Sequence, residues 1–424
     1  MKKTTFFAAV LFASSSLMFA ELYPAKRELD IGLDVDLTAS QNTFSVTELL
    51  VKELKVNLTE MADAMDDDGL IFDFNVSPQF FVDINMAPQS GFGFYTGLEG
   101  SMRLSTGKGL WNLLGHGNAE SDISSTLAVQ GDMFVETGVK VKFKAGRIGW
   151  TGKANYFVPV FYIPRSELNV EAITSSPLYM LAAEGKATVN IYSNFDVSKA
   201  FDEDLSFLGT GDLMSSITDD VVDLLSNGGV SFDLEGEYQL TNTLCVGVFT
   251  QVPVIAGKLK YKTPVEVSFD ASIVPILDTV DNDDAEFEPD YDKDFKRGKT
   301  VESSYKVRTP FRLGVEGAWR PFGDWCTFRP MLGFAVRNPF GDDYSAGHST
   351  FLEYSLAAEL NVLWVLKLNF ATLYHNQVFT QRFGFGLNLY VFELVANVGA
   401  SGASFTKSWD VSGLNANVGF RFGF

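Results

Sequence analysis

The sequence predicts an all-β chain closed into a transmembrane antiparallel β-barrel of about fourteen strands, with short helices in its extracellular loops. Three observations predict it. The N-terminus reads as a leader that no later helical span follows. Strand-length segments alternate strictly between apolar and polar residues. The links between them alternate between short and long.

The leader is MKKTTFFAAVLFASSSLMFA, in which Lys2 and Lys3 precede a short apolar core from Phe6 to Ala13 and small residues lead to Ala20. Residues 1–20 are therefore expected to be a cleaved signal peptide, and 21–424 a single barrel domain. No later stretch approaches the roughly 18 to 20 consecutive apolar residues of a helical span. A membrane-embedded mature chain must then be a closed barrel, because hydrocarbon leaves no water for unpaired backbone groups.

Composition agrees. There are 38 phenylalanines and 37 glycines against 14 prolines and 2 cysteines, a profile that favours strands. The net charge of −20, from 53 acidic and 33 basic residues, argues against a phosphate-binding surface, so no nucleic-acid partner is expected.

The alternation is clearest near the C-terminus. Leu414, Ala416, Val418, Phe420, Phe422 and Phe424 fall on one face, and Asn415, Asn417, Gly419, Arg421 and Gly423 on the other. Strands are expected near 29–38, 70–84, 91–105, 125–143, 148–162, 228–240, 244–255, 304–319, 325–338, 349–361, 363–374, 378–389, 391–402 and 411–424. Tight links, such as Lys144 to Arg147 and Thr241 to Thr243, fall on the side of the termini. The long links, about 39–69, 106–124, 163–227 and 256–303, fall on the other, as extracellular loops do in outer-membrane barrels.

Helical spacing appears inside those loops. Ser45 and Glu48 could form a capping box before a helix within 47–66, and Asp212 could cap another over 212–226. Gly109 to Leu114 suggests a third, shorter turn. The first two helices are expected to pack together over the barrel mouth.

The face opposite the apolar one carries charge. Asp233, Glu235, Glu237, Glu316, Glu353, Glu359 and Glu393 are expected to point into the lumen. So are Arg312, Arg329, Arg337, Lys367, Arg382 and Arg421. Charges in hydrocarbon are costly, so these groups must meet water or one another. Whether they line a wet pathway or fill a plug stays open at this level.

Catalytic and metal sites are not expected. The acidic run from Asp278 to Lys296 holds nine carboxylates but lacks the sharp-turn glycine of a calcium loop, and a solvated loop explains it better. His348 and Ser349 are adjacent and badly placed to share a proton, so the chain is not read as an enzyme. Three scattered histidines and two cysteines make no metal site, and no cofactor is expected. Cys245 and Cys326 fall on opposite faces of strands that are not neighbours, which disfavours a disulfide.

Asn417-x-Gly419-x-x-Phe422-x-Phe424 resembles the C-terminal assembly signal of Gram-negative outer-membrane β-barrel proteins. The resemblance implies recognition by the barrel-assembly machinery, pairing of the last strand with the first, and location in outer-membrane lipid. Gly229, Asp233 and Tyr238 in GGVSFDLEGEYQL are similar to a pattern in FadL-like long-chain fatty-acid transporters and related uncharacterised barrels, with Glu235 where glycine is usual. No Asn-Pro-Ala stands near the mature N-terminus, so that family's gating residues are not carried over. The expected function is passive passage of small solutes, hydrophobic compounds included. The alternative is a barrel-anchored surface protein for adhesion or host contact, without transport.

Overall fold

Strict alternation requires each strand to show one face to a polar interior and one to an apolar surrounding, and the structure folds the chain that way. It is a computed structural model, and it describes residues 27–43, 58–65, 69–87, 90–116, 123–175, 180–199, 201–203, 221–273, 290–363, 365–375, 377–389 and 391–424. The leader and the helix caps Ser45, Glu48 and Asp212 lie outside the described residues.

The described strands form one 18-stranded sheet, of which fourteen close into a ring. The first half of the ring is β1 (Leu29–Gln41), β2 (Leu70–Ala87), β3 (Ser90–Thr106), β4 (Ile123–Ala145), β5 (Ile148–Ser175), β7 (Gly229–Gln239) and β8 (Leu244–Ile255). The second half is β12 (Phe311–Trp319), β13 (Cys326–Val336), β14 (Thr350–Asn361), β15 (Leu366–His375), β16 (Val378–Asn388), β17 (Phe392–Gly402) and β18 (Gly413–Gly423). β18 pairs antiparallel with β1 from Asp30 opposite Gly423 to Ser40 opposite Gly413, which seals the ring. Closure leaves no barrel edge to be satisfied by lipid.

The burial pattern is inverted relative to a soluble protein. Large apolar side chains such as Phe94, Val141, Trp150, Leu313 and Leu352 are exposed on the outer wall. Asp34, Asp132, Arg312 and Glu353 are buried inside. An outer wall of this kind is stable only where the surrounding medium is itself apolar. Among the described residues no helix is long and apolar enough to cross a membrane.

Turn chemistry fits the tight links. Ala145 pairs with Ile148 across a two-residue loop in which Gly146 takes φ +62°, the left-handed value such hairpins need. In the β7–β8 turn the Thr241 hydroxyl accepts from the Leu244 amide at 3.0 Å.

The described parts of two of the expected loops are largely strand. Beyond the ring stand β6 (Met180–Ser193), β9 (Gly257–Ile273), β10 (Asp290–Arg297) and β11 (Val301–Val307). β5 pairs first with β7, from Ile148 to Phe157, and then with β6, at Phe161 and Tyr162 and again from Val170 onward. The chain leaving β8 likewise changes partners: β9 pairs with β6 on one side and with β10 and β11 on the other. The change occurs at Gly257, where an added Cβ would press on the Pro159 ring. The result is an annex of sheet projecting from one wall. Its core is Phe134, Phe157, Tyr162, Leu259 and Val307, against which Tyr192 and Tyr305 pack.

Among the described residues three helices stand in the long loops, α1 (Leu58–Ala64), α2 (Lys108–His116) and α3 (Val221–Ser226), and two shorter ones follow in the β13–β14 and β17–β18 connections. The described part of the first expected helix packs on α2, where Trp111 covers Met65 and Leu70. The same contact carries an Asp63–His116 pair at 3.0 Å. Cys245 on β8 and Cys326 on β13 are both buried and unbonded, with β12 between their strands.

Candidate functional site: the barrel lumen

The lumen is built by the polar half of the strand alternation, so its chemistry can be followed strand by strand. On β12, Arg312 donates to Glu99 on β3 and to Gln251 on β8, each at 2.8 Å. Its Nε also lies 3.5 Å from Glu353 on β14. Along the shorter arc of the ring β4, β5, β7 and β8 separate β12 from β3, so the Arg312–Glu99 bond spans the lumen. His375 Nδ1 sits 2.7 Å from Glu353 and extends the cluster to β15.

A second set of bonds crosses nearer the mouth. Arg337, just after β13, reaches Asp132 on β4 at 3.4 Å and the Ser101 hydroxyl on β3 at 3.3 Å. Arg103 on β3 meets Asp73 at 3.9 Å and donates to Gln377 beside β16. Removing one member of such a pair strands a buried charge, so these bonds fix the lumen shape more firmly than their net stabilisation suggests.

Three pairs join residues that the sequence placed on the inner face. These are Arg312 with Glu353, Arg329 with Glu359 at 2.9 Å, and Lys367 with Glu393 at 3.1 Å. The other inner-face charges found partners the alternation alone had not singled out. Glu235 binds Lys153 at 2.8 Å, Glu237 binds Lys144 at 3.5 Å, and Asp233 accepts from Asn155 at 3.1 Å. Arg421 meets Asp34 at 3.5 Å, and Arg382 is paired with Asp36. Glu316 lies over Gly247 of the neighbouring strand.

The overlooked partners carried a readable signal. Asp30, Asp34 and Asp36 recur at even positions of DIGLDVDL, and Lys140, Lys142 and Lys144 at even positions of VKVKFK. Lumen aromatics were harder to see. The Phe81 ring fills the space over Gly32, Tyr95 lies over Gly138, and Phe249 lies over Gly314. Each of these three glycines is a seat for a ring from the next strand. Phe81 also sits between two cations, 5.9 Å from Lys140 and 5.5 Å from Arg421.

Aromatic packing and cross-lumen bonds occupy the wall from β3 to β8. A cavity of about 360 Å³ opens against the other wall, with Asp34 and Asp36 on one side and Arg329, Lys367 and Arg382 among its other lining groups. Across its floor runs a chain of amides. Asn369 donates to Asn397 at 3.3 Å, Asn397 to Asn417 at 2.8 Å, and Asn417 to the Val35 carbonyl at 2.9 Å. Gly384 makes the chain possible, because any side chain there would collide with Asn397.

The residues of the terminal motif divide between the two faces. Asn417 joins the amide chain, while Gly419 leaves room for the Asp34 carboxylate. Phe422 and Phe424 are exposed on the outer wall. The Phe424 carbonyl accepts from the Leu29 amide at 3.1 Å and extends the seam.

At the mouth, Asp343 in the β13–β14 connection accepts from Tyr305 at 2.8 Å, from Asn338 at 2.7 Å, and from Tyr162. Tyr192 stacks on Tyr305 at 4.0 Å. Burial, followed by the Asp343 bond, pushes the Tyr305 phenol above its ordinary range and keeps it a donor.

His348 and Ser349 share the short helix α4 (Ala346–Ser349), where the Ser349 hydroxyl accepts from the Ser345 amide at 3.2 Å. Among the described residues no group of three or more side chains is placed to hold a metal ion. The acidic run is strand from Asp290 on; its earlier part lies outside the described residues.

No protein-family model matches the chain, and no curated protein matches its sequence. Its structure is similar to the toluene transporter TodX of P. putida, with TM-score 0.45 and 11% identity over 96% of this chain and 93% of that one. It is also similar to the toluene transporter TbuX of Ralstonia pickettii, with TM-score 0.43 and 9% identity over 94% and 90%. A FadL homologue of Pseudomonas aeruginosa matches with TM-score 0.42 and 9% identity over 95% and 92%.

Proposed function

We propose that the protein is an outer-membrane channel that lets small solutes pass passively, and that it is not an enzyme. One observation carries the reading: the ring encloses a cavity of about 360 Å³ lined by charged, amide and apolar side chains, and the bonds crossing the lumen among the described residues are made by side chains. Side chains change rotamer far more readily than packed backbone moves, so such a lumen can conduct without refolding. In this reading residues 1–20 direct export, and the motif at Asn417, Gly419, Phe422 and Phe424 engages the barrel-assembly machinery.

Hydrophobic compounds belong among the solutes to be offered. The resemblance at Gly229, Asp233 and Tyr238 supports including them, as does the row of lumen aromatics at Phe81, Tyr95 and Phe249. The reading is tested by reconstituting the full chain into planar bilayers and proteoliposomes. Discrete conductance steps, or solute entry above that of protein-free vesicles, are expected. A folded barrel that seals the bilayer and admits no solute would instead favour a surface anchor, with the annex as its exposed face.

A further inference from the structure

The charges around the inner cavity cancel at short range. Arg329 is bound to Glu359 and Lys367 to Glu393 on one side, and Arg421 to Asp34 on the other. A lining of closed pairs projects little net field, so an entering ion gives up its water and meets no compensating counter-charge. A neutral solute avoids that cost.

The same wall offers what a neutral solute needs. Ala371, Leu373 and Val395 give it an apolar strip, and the Asn369–Asn397–Asn417 chain lies among the same lining groups. Arg329 supplies a donor as well. Its Nη1 is buried and has no hydrogen-bond partner among the described residues, although the side chain lines the cavity and is only 8% exposed. An oxygen acceptor with no net charge can take that bond while leaving the Arg329–Glu359 pair intact.

We infer that the cavity is a binding site for small uncharged, oxygen-bearing solutes of the polyol or alcohol kind, and that it discriminates against ions of equal size. This rests on the channel reading above and names its solute class. C–H groups lie on the apolar strip and hydroxyls on the amide chain and Arg329.

The test uses the full chain in liposomes and compares entry of erythritol with entry of lactate, a charged solute of similar size. Erythritol is expected to enter at least about ten times faster, since only lactate must bring a net charge into the cavity. Substituting Glu359→Gln leaves the Arg329 guanidinium without its counter-charge and should raise the lactate-to-erythritol ratio several-fold. Heat-modifiable migration of the variant verifies that its barrel is folded. Lactate entry equal to or faster than that of erythritol overturns the inference and leaves the channel reading standing. An unchanged ratio in folded Glu359→Gln also overturns it, because the paired charges would then not set selectivity. Entry of neither solute through folded wild-type barrel overturns the channel reading, and the inference with it.

Discussion

Arg312 Nη2 lies 2.8 Å from Glu99 Oε1, and the bond joins two strands that are not neighbours in the ring. Glu353 stands on the other side of the same guanidinium at 3.5 Å, so one arginine answers two carboxylates in mid-lumen. Replacing Arg312 by Ala removes the crossing, leaves Glu99 without this partner and leaves Glu353 with His375 alone. Stability should fall by about 3–5 kcal/mol, as when one partner of a buried pair is lost. Conductance should rise, because the lumen loses its bridge. Urea unfolding and single-channel recording measure the two effects separately. A folded Arg312→Ala barrel with unchanged conductance would show that the constriction lies elsewhere.

The seats for aromatic rings make a second prediction. A side chain at Gly32 must enter the space of the Phe81 ring, so Gly32→Val should destabilise the barrel by about 1–3 kcal/mol through overpacking. Phe81→Ala alone should also cost stability by opening a cavity. If the two sites share one volume, the double variant should be more stable than the sum of the single losses. Strict additivity in a double-mutant cycle would reject the shared seat.

The Asn417 amide ties β18 to the Val35 carbonyl of β1 and to Asn397 of β17. Asn417→Leu leaves these groups without that partner, at a cost of about 1–3 kcal/mol for each one left unsatisfied. Gly419→Val should be worse, since its side chain must displace the Asp34 carboxylate at the seam. Both variants should accumulate less heat-modifiable barrel in the membrane while still being exported. Wild-type levels of folded Gly419→Val would remove the seam from the account of assembly.

These residues show what sequence could and could not reveal. Period two placed Arg312, Glu353 and Asn417 on the inner face, because a strand leaves a side chain only two directions. It did not reveal that Arg312 meets Glu99, since that contact depends on how the whole ring is sheared and closed. The annex escaped for a different reason. A strand in water and a strand in lipid share the same period, so the membrane-length expectation stopped β5 near residue 162 although it continues to Ser175. The switch of partners at Gly257 carries no periodic mark at all. Several inward glycines are filled by rings from the adjoining strand, a relation visible only once strands are in register.

Asp343 gives a last prediction, at the mouth. It holds the β13–β14 connection against β5 and the annex by accepting from Tyr162 and Tyr305. The Tyr305 phenol titrates above its ordinary value because of burial and this bond. A raised value in the folded state means its contribution is complete below about pH 10, the unfolded tyrosine value, and is lost only as pH climbs through the higher folded one. The connection should therefore stay fastened between about pH 7 and pH 9, where an ordinary phenol remains protonated. Tyr305→Phe removes the donor while keeping the ring stacked on Tyr192, and should speed tryptic cleavage several-fold at neutral pH at Arg308, whose backbone N–H is held at 3.0 Å by Asn338 of the connection. Cleavage that accelerates in the wild type between those pH values, while Tyr305→Phe behaves like wild type, would mean that the connection is held by something other than this hydroxyl.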